Sequence, residues 1–415
     1  MIELGGQILT VERSKCFLRA GVIRFDEGGI ESIAWDRDVH SAADGGDLEC
    51  LIMPGMVDAH LHLPQFPIIG AHGMPLLEWL QRVVFPTEAT WMDPRYAAQC
   101  TRGVAQQLLR HGTTSVAAYA TVHGPATAAA MRVLAEIGIG GLVGQVWMNT
   151  GMAEELHCPV DQLIDETAAL IDAYPPGARL SAAITPRFAL SCDANAMQAA
   201  GKLARETGAW VQTHLSETQD EVARVRECFG GRDYVQVYQD FGLCGPRSVL
   251  GHGIHLSESE VRRLVDADAC IAHCPTANSF LRSGAMPWVR WKQAGLRCVL
   301  GSDVGAGYER SMVRVARAMI ETASRVLPAD QADLIPTAAQ AFFEITRGAC
   351  ETFGWLDRGV LKAGCRADVL RVRPDRGWIR PGAGDDTAID PLSRLLFSWD
   401  DRWIDQVWLG GRRKI

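Results

Sequence analysis

Met53-Pro54-Gly55-Met56-Val57-Asp58-Ala59-His60-Leu61-His62 is a short apolar run that ends in two histidines separated by one residue. Side chains at positions i and i+2 of a β-strand point to the same face. If this run is a strand, it aims both imidazoles at one point, which a metal ion can occupy. Many histidine pairs are incidental, so the meaning of this one depends on the rest of the chain.

Short β-rich runs alternate with amphipathic helical stretches from residue 53 to about residue 324. Asp93-Pro94 is typical of a helix start, and His111-Gly112, Gly208 and Gly295 are typical of helix ends. Eight βα units predict an α/β fold whose main domain, residues 53–358, is a (β/α)8 TIM barrel. The predicted strands are Met56–His60, Thr114–Ala120, Leu142–Met148, Leu180–Pro186, Trp210–His214, Ser248–Gly253, Cys270–His273 and Arg297–Gly301.

The two ends of the chain contain further short β-rich runs. They predict a small β-sandwich domain, built from residues 1–52 and 359–415, that lies beside the barrel. These runs are Gly21–Phe25, Ile30–Ile33, Ala367–Val372 and Gln406–Leu409. The length of 415 residues suits this division, because a barrel of this type needs about 250.

The composition is that of a globular protein, with 47% hydrophobic and 22% charged residues. A net charge of -8 argues against nucleic acid or an anionic membrane as the main partner, because both favour clustered Lys and Arg. The N-terminus lacks a signal-peptide pattern, and no apolar stretch is long enough to span a bilayer. We therefore expect a cytoplasmic location, with the 12 cysteines as free thiols.

Polar residues that could carry chemistry follow the predicted strands. The active site of such a barrel lies at the C-terminal ends of its strands. His60, His62, His214 and Asp303 all lie at these ends, and together they offer the nitrogen and oxygen ligands that zinc or iron accepts. The sequence therefore predicts a metal site.

Two further residues at the strand ends, Glu217 and His252, are left for proton transfer. Each residue has a structural alternative when it is taken alone. His214 could be a satisfied core histidine, while Asp303 and Glu217 could cap helices. Burying so many polar groups together is costly unless a metal offsets the cost, which favours the functional interpretation.

The positions of the lysines indicate how many metal ions the site holds. Binuclear barrels of this kind often use a carboxylated Lys on a middle strand to bridge two ions. No Lys occurs between Lys15 and Lys202, so the fourth strand cannot supply that bridge. We therefore expect one metal ion.

The strand-end motifs resemble the amidohydrolase superfamily, in its mononuclear deaminase branch. The resemblance covers nearly the whole chain, including the tail segment at residues 359–369, which is similar to the part of that superfamily that re-enters the β-sandwich. The motifs are Pro54-Gly55-Met56-Val57-Asp58-Ala59-His60-Leu61-His62, Thr213-His214-Leu215-Ser216-Glu217, Gly251-His252-Gly253 and Gly301-Ser302-Asp303.

A second set of motifs resembles the guanine deaminase family within that branch. The motifs are His62-Leu63-Pro64-Gln65, Leu76-Leu77-Glu78-Trp79-Leu80, Phe85-Pro86-Thr87-Glu88, Thr185-Pro186-Arg187-Phe188-Ala189-Leu190-Ser191-Cys192 and Ala272-His273-Cys274-Pro275-Thr276-Ala277-Asn278. This resemblance implies hydrolysis of guanine to xanthine and ammonia by a metal-activated hydroxide, with one zinc ion per subunit or iron in its place. It also implies a homodimer and a small-molecule purine base as the partner.

The same resemblance implies a role for each site residue. The metal ligands would be His60, His62, His214 and Asp303, and catalysis would use Glu217, His252 and Asp303. The purine would be held by Gln65, Arg187, Phe188, His214 and Glu217. From the sequence alone, Arg187 could instead pair with a barrel acid, Gln65 could cap a loop, and Phe188 could belong to the core.

Other functions remain open at this point. A deaminase of another amino-heterocycle, such as a pterin or an s-triazine, would use the same metal ligands. A catalytically inactive barrel that serves as a scaffold is a further alternative, although such proteins usually lose metal ligands. The cytidine-deaminase fold is excluded, because its H-x-E and P-C-x-x-C signature is absent. Arg282 departs from the family pattern, and we expect its side chain to face solvent.

Overall fold

The structure is a computed structural model that describes residues 1–12, 14–375 and 390–415. Its strands, in chain order, are β1 (Ile2–Glu12), β2 (Lys15–Asp26), β3 (Gly29–Trp35), β4 (Gly46–Pro54), β5 (Met56–His62), β6 (Thr113–Tyr119), β7 (Gly140–Trp147), β8 (Leu180–Pro186), β9 (Trp210–Leu215), β10 (Ser248–His252), β11 (Cys270–His273), β12 (Arg297–Leu300), β13 (Val369–Val372), β14 (Ile404–Leu409) and β15 (Arg412–Arg413).

The α-helices alternate with the barrel strands and continue beyond the last of them. They are α1 (Leu76–Trp79), α2 (Phe85–Ala89), α3 (Pro94–Arg110), α4 (Gly124–Ile137), α5 (Val160–Ala173), α6 (Ala194–Thr207), α7 (Gln219–Cys228), α8 (Tyr234–Asp240), α9 (Glu258–Asp266), α10 (Pro275–Phe280), α11 (Trp288–Gln293), α12 (Met312–Val326), α13 (Ala338–Glu344), α14 (Arg347–Thr352) and α15 (Pro391–Ser398).

Strands β5 to β12 form one sheet in which each strand pairs in parallel with the next. All eight predicted strands are present, and the prediction of a (β/α)8 barrel is confirmed. Backbone hydrogen bonds join β5 to the segment after β12: His62 N–H donates to the Val304 carbonyl at 2.7 Å, and Asp303 N–H donates to the His60 carbonyl at 2.7 Å. These bonds bring the two ends of the barrel sheet together at the metal-ligand positions.

The predicted helix boundaries have clear physical causes. The Asp93 carboxylate accepts a hydrogen bond from Arg95 N–H at 2.9 Å and so caps the start of α3. Gly208 follows α6 with φ of +66°, a left-handed conformation that glycine adopts without a Cβ clash. Such caps fix where each helix ends and therefore where the next barrel strand begins.

The remaining seven strands form a separate mixed sheet in the order β15-β14-β13-β4-β1-β2-β3. The prediction of a β unit built from both ends of the chain is confirmed, although β1, β4 and the two-residue β15 were not predicted. The T-shaped contact of Phe25 with Trp408, with ring centroids 5.5 Å apart, packs the two ends together. The proposed domain bounds stay a prediction, and residues 376–389 of the second predicted segment lie outside the described residues.

Two expectations from composition can be compared with the structure. Among the described helices, none is long and apolar enough to cross a membrane. All 12 cysteines are free, and burial raises the pKa of several of their thiols, for example that of Cys192 to about 12. The thiols whose pKa is raised in this way stay protonated at neutral pH.

Candidate active site

The four predicted metal ligands meet at the C-terminal mouth of the barrel. His60 and His62 come from β5, His214 comes from β9, and Asp303 follows β12. One ligand atom of each lies within 4.8 Å of the ligand atoms of the others. Asp303 Oδ1 is 3.3 Å from His60 Nε2 and 3.4 Å from His62 Nε2. Strands from distant parts of the sequence thus converge on one buried point.

The protonation of this cluster fits a metal ion. Burial holds the pKa of His60, His62 and His214 well below the usual value, so the imidazoles are neutral and keep a lone pair. His214 Nδ1–H donates to the Arg187 carbonyl at 2.7 Å, which leaves its Nε2 free to face the cluster. His60 Nε2 is buried without a hydrogen-bond partner in the described chain. Three neutral imidazoles and a carboxylate are a donor set that suits zinc or ferrous iron.

A second pair of side chains, Glu217 and His252, lies beside the cluster. Glu217 Oε2 is 3.5 Å from His252 Nε2, and Ser283 Oγ–H donates to Glu217 Oε1 at 2.8 Å. Burial raises the pKa of Glu217 to about 7. Burial by itself would lower the pKa of His252, but the carboxylates of Glu217 and Asp303 outweigh it and raise that pKa. A carboxyl group that titrates near neutral pH is suited to carry a proton in both directions.

Unusual backbone conformations accompany these side chains. Ser216, His252 and Asp303 have φ of 49°, 72° and 52°, in the left-handed region that side chains with a Cβ seldom adopt. Strain of this kind concentrates where a protein must aim functional groups. Asp303 does not start a helix, so the alternative that it is a helix N-cap is wrong. Glu217 also lies outside the cap of α7, because Thr218 is the N-cap of that helix.

The cluster opens into a cavity between the barrel mouth and the connection from β5 to α3. That connection contributes the apolar side chains of Leu76, Trp79 and Leu80 to the cavity wall. The cavity is lined by His62, Gln65, Leu76, Trp79, Leu80, Arg187, Phe188, His214, Glu217, Glu221, His252, Asp303 and Ala306. The lining therefore includes all five residues expected to hold a purine, which are Gln65, Arg187, Phe188, His214 and Glu217.

Glu88 of α2 has a place at the site that the sequence did not reveal. Its Oε2 pairs with Arg187 NH1 at 2.7 Å, and its Oε1 accepts from Gln65 Nε2 at 2.7 Å. The interpretation of Arg187 as the partner of a buried acid is thus correct, although Arg187 also lines the cavity. An ionisable residue close to the apolar run Val83-Val84-Phe85 was a signal, but only the fold shows the partners of Glu88.

Arg282 is exposed and is not among the residues that line the cavity. Its neighbour Ser283 is buried and hydrogen-bonds Glu217. The expectation that the Arg282 side chain faces solvent agrees with this position.

Comparison with known proteins identifies the family of this site. The model of the amidohydrolase family matches residues 51–414. The guanine deaminase of Escherichia coli (strain K12) is 32% identical over 406 residues, which cover 95% of this chain and 91% of that protein. The chain belongs to the guanine deaminase branch of the amidohydrolase family.

Other members of this branch extend the match. The probable guanine deaminase of Deinococcus radiodurans is 33% identical over 395 residues, which cover 91% of this chain and 85% of that protein. The crystal structure of the guanine deaminase of C. acetobutylicum, with guanine bound in its active site, superposes with a TM-score of 0.89 at 29% identity. That alignment covers 100% of this chain and 99% of the other. Both the barrel and the terminal sheet are therefore shared.

Proposed function

We propose that this chain hydrolyses guanine to xanthine and ammonia. One observation carries the proposal: a buried cluster of His60, His62, His214 and Asp303 opens into a cavity that Gln65 and Arg187 also line. The similarity of the chain to guanine deaminases supports guanine as the substrate of this site.

The metal-ligating residues would hold one ion per chain, which we propose to be zinc, with iron as the alternative. When bound, such an ion supplies a nucleophile from water near neutral pH. Asp303 can accept the proton of the attacking water and pass it to the amine that leaves C2. His252, with its Nδ1 held by Asn278 Oδ1 at 2.9 Å, directs Nε2 toward Asp303 Oδ2 at 3.8 Å. It is placed to donate a hydrogen bond to the attacking oxygen.

Glu217 is the proton carrier for the ring. Its carboxyl donates a proton to N3 as C2 becomes tetrahedral, and it regains a proton as the C2 hydroxyl becomes the carbonyl of xanthine. The bond between C2 and the amine breaks and ammonia leaves, so that guanine and water become xanthine and ammonia. A carboxyl whose pKa burial raises to about 7 suits this exchange.

Recognition of the purine uses the polar wall of the cavity. Arg187 can donate to the O6 and N7 edge, and Phe188 offers an apolar ring face. Adenine carries a donor at position 6, where it would face the Arg187 donors. Mismatches at such polar sites can reduce turnover by about 10⁴-fold.

The test is the steady-state release of ammonia from guanine, with metal content measured on the same sample. We expect turnover of guanine, little turnover of adenine, and about one metal ion per chain. Turnover of a pterin or an s-triazine without turnover of guanine would assign the site to that substrate instead. No deaminase activity and no bound metal after zinc is added would indicate an inactive scaffold.

We further propose that the chain forms a homodimer and works in the cytoplasm. Closed two-fold assemblies are the commonest state of protein oligomers. Light scattering of the purified protein would test the dimer, and a mass of one chain would contradict it.

A further inference from the structure

Glu88 contacts two of the residues that line the cavity, one through each of its carboxylate oxygens. The side chain is 2% exposed, so neither hydrogen bond is exchanged with water. Oε1 accepts from the Gln65 amide, and Oε2 pairs with the Arg187 guanidinium, each at 2.7 Å. One acid therefore binds the two polar side chains that face a base.

The contact with Glu88 determines which end of the Gln65 amide is left without a partner. An amide oxygen placed 2.7 Å from a carboxylate oxygen would be repelled, so Nε2 must face Glu88. Gln65 Oε1 is then left as the free end, and it is buried without a hydrogen-bond partner in the described chain. A buried unpaired carbonyl is costly, and a ligand with an N–H donor would satisfy it.

Glu88 orients Arg187 in the same way. The pairing takes one guanidinium N–H, while Arg187 Cζ lies 5.5 Å from the centroid of the Phe85 ring, which restricts the plane of the group. The other N–H groups of Arg187 remain donors. The cavity thus presents a fixed acceptor from Gln65 and fixed donors from Arg187.

We propose that Glu88 is a positioning residue that sets the hydrogen-bond polarity of the base pocket. It makes the pocket select bases that pair a ring N–H donor with a carbonyl acceptor, and reject bases with a bare ring nitrogen beside an amino group. This inference rests on the proposed function, because it assumes that the cavity binds a purine base.

Hypoxanthine and adenine make a direct probe of this polarity. Neither carries the 2-amino group, and they differ at N1 and position 6, where hypoxanthine has N–H and C=O and adenine has N and NH2. Calorimetric titration of the metal-loaded protein gives both dissociation constants without any turnover. We expect the wild-type protein to favour hypoxanthine.

Glu88→Gln should reduce the ratio of the adenine to the hypoxanthine dissociation constant by at least about tenfold, which is the effect of one hydrogen bond. The reason is that the Gln65 amide can then rotate. The double variant Gln65→Glu/Glu88→Gln should restore the preference to within about threefold of wild type. In it, the new residue at 88 donates to the carboxylate at 65, whose second oxygen again faces the cavity as an acceptor. If Glu88 had only a structural role, the double variant would not recover the preference for hypoxanthine.

Glu344→Gln is the matched control, since Glu344 is a buried carboxylate that pairs with Lys292 at 2.9 Å and does not line the cavity. It should lower the melting temperature and leave the base preference unchanged. An unchanged preference in Glu88→Gln would overturn the inference, as would the absence of any preference in wild type. If Glu88→Gln does not fold, failure of the double variant to restore the preference overturns it. Lack of guanine turnover with an intact hypoxanthine preference would refute only the proposed function.

Discussion

Asp58 of β5 and Ser302, two residues after β12, hydrogen-bond to each other across the closure of the barrel. The Ser302 N–H donates to Asp58 Oδ1 at 2.9 Å, and the Ser302 hydroxyl donates to Asp58 Oδ2. Asp58 lies two residues before His60, and Ser302 directly precedes Asp303. This buried contact therefore fixes how His60 and Asp303, two candidate metal ligands from opposite ends of the barrel sequence, are placed relative to each other.

Asp58→Asn should lower both stability and metal content. The amide offers one acceptor where the carboxylate offers two, so a buried donor of Ser302 loses its partner, at about 1–3 kcal/mol. Urea unfolding and metal analysis of the same preparation measure the two effects. Asp172→Asn, an exposed change on α5, serves as the control and should alter neither. Wild-type metal content in Asp58→Asn would show that the contact does not hold the ligands in place.

Glu217→Gln should keep the metal and lose about 10²- to 10⁴-fold in kcat, because it removes a proton carrier and not a ligand. The change is nearly isosteric, and the amide oxygen can still accept from Ser283. Ammonia release and metal content are the readouts, with the exposed change Glu227→Gln as the control. A variant that retained wild-type kcat would rule out the assigned role.

Gly301→Ala should impair metal binding although it replaces no metal ligand. A Cβ at position 301 would lie 2.6 Å from the Cβ and 2.9 Å from the backbone N of His60, so His60 must move. We expect lower metal content at limiting zinc and a smaller rise in melting temperature when zinc is added. Gly103→Ala, where an added Cβ meets open space, is the control. Metal titration identical to wild type would mean that the site accommodates the methyl group.

Arg187→Ala should raise the KM for guanine and also destabilise the fold. The change removes donors from the cavity wall and leaves the Glu88 carboxylate buried without its cation, which costs about 3–5 kcal/mol. Adding Glu88→Ala should recover part of the stability but not the KM. Unchanged guanine kinetics in Arg187→Ala would place its side chain outside substrate recognition.

The barrel could be predicted from the sequence because its signals are local. Each strand is a short apolar run, and residues such as Asp93 and Gly208 mark helix boundaries. Strand β1 was missed although it pairs with the next strand, because Gly5 and Gly6 interrupt its apolar pattern. Strand β4 was missed because its partners, β1 and β13, are distant in sequence. The metal cluster could also be predicted, since the rule that strand ends meet at one mouth converts His60, His214 and Asp303 into neighbours.

The sequence by itself determined which chemical groups stand at the strand ends, because alternation and capping are properties of neighbouring residues. Only the tertiary structure decided how those groups are oriented. Glu88 and Arg187 are 99 positions apart, and Asp58 and Ser302 are 244 apart, and no local pattern encodes these pairs. Orientation depends on buried hydrogen bonds between distant segments, and such bonds exist only after the chain has closed around them.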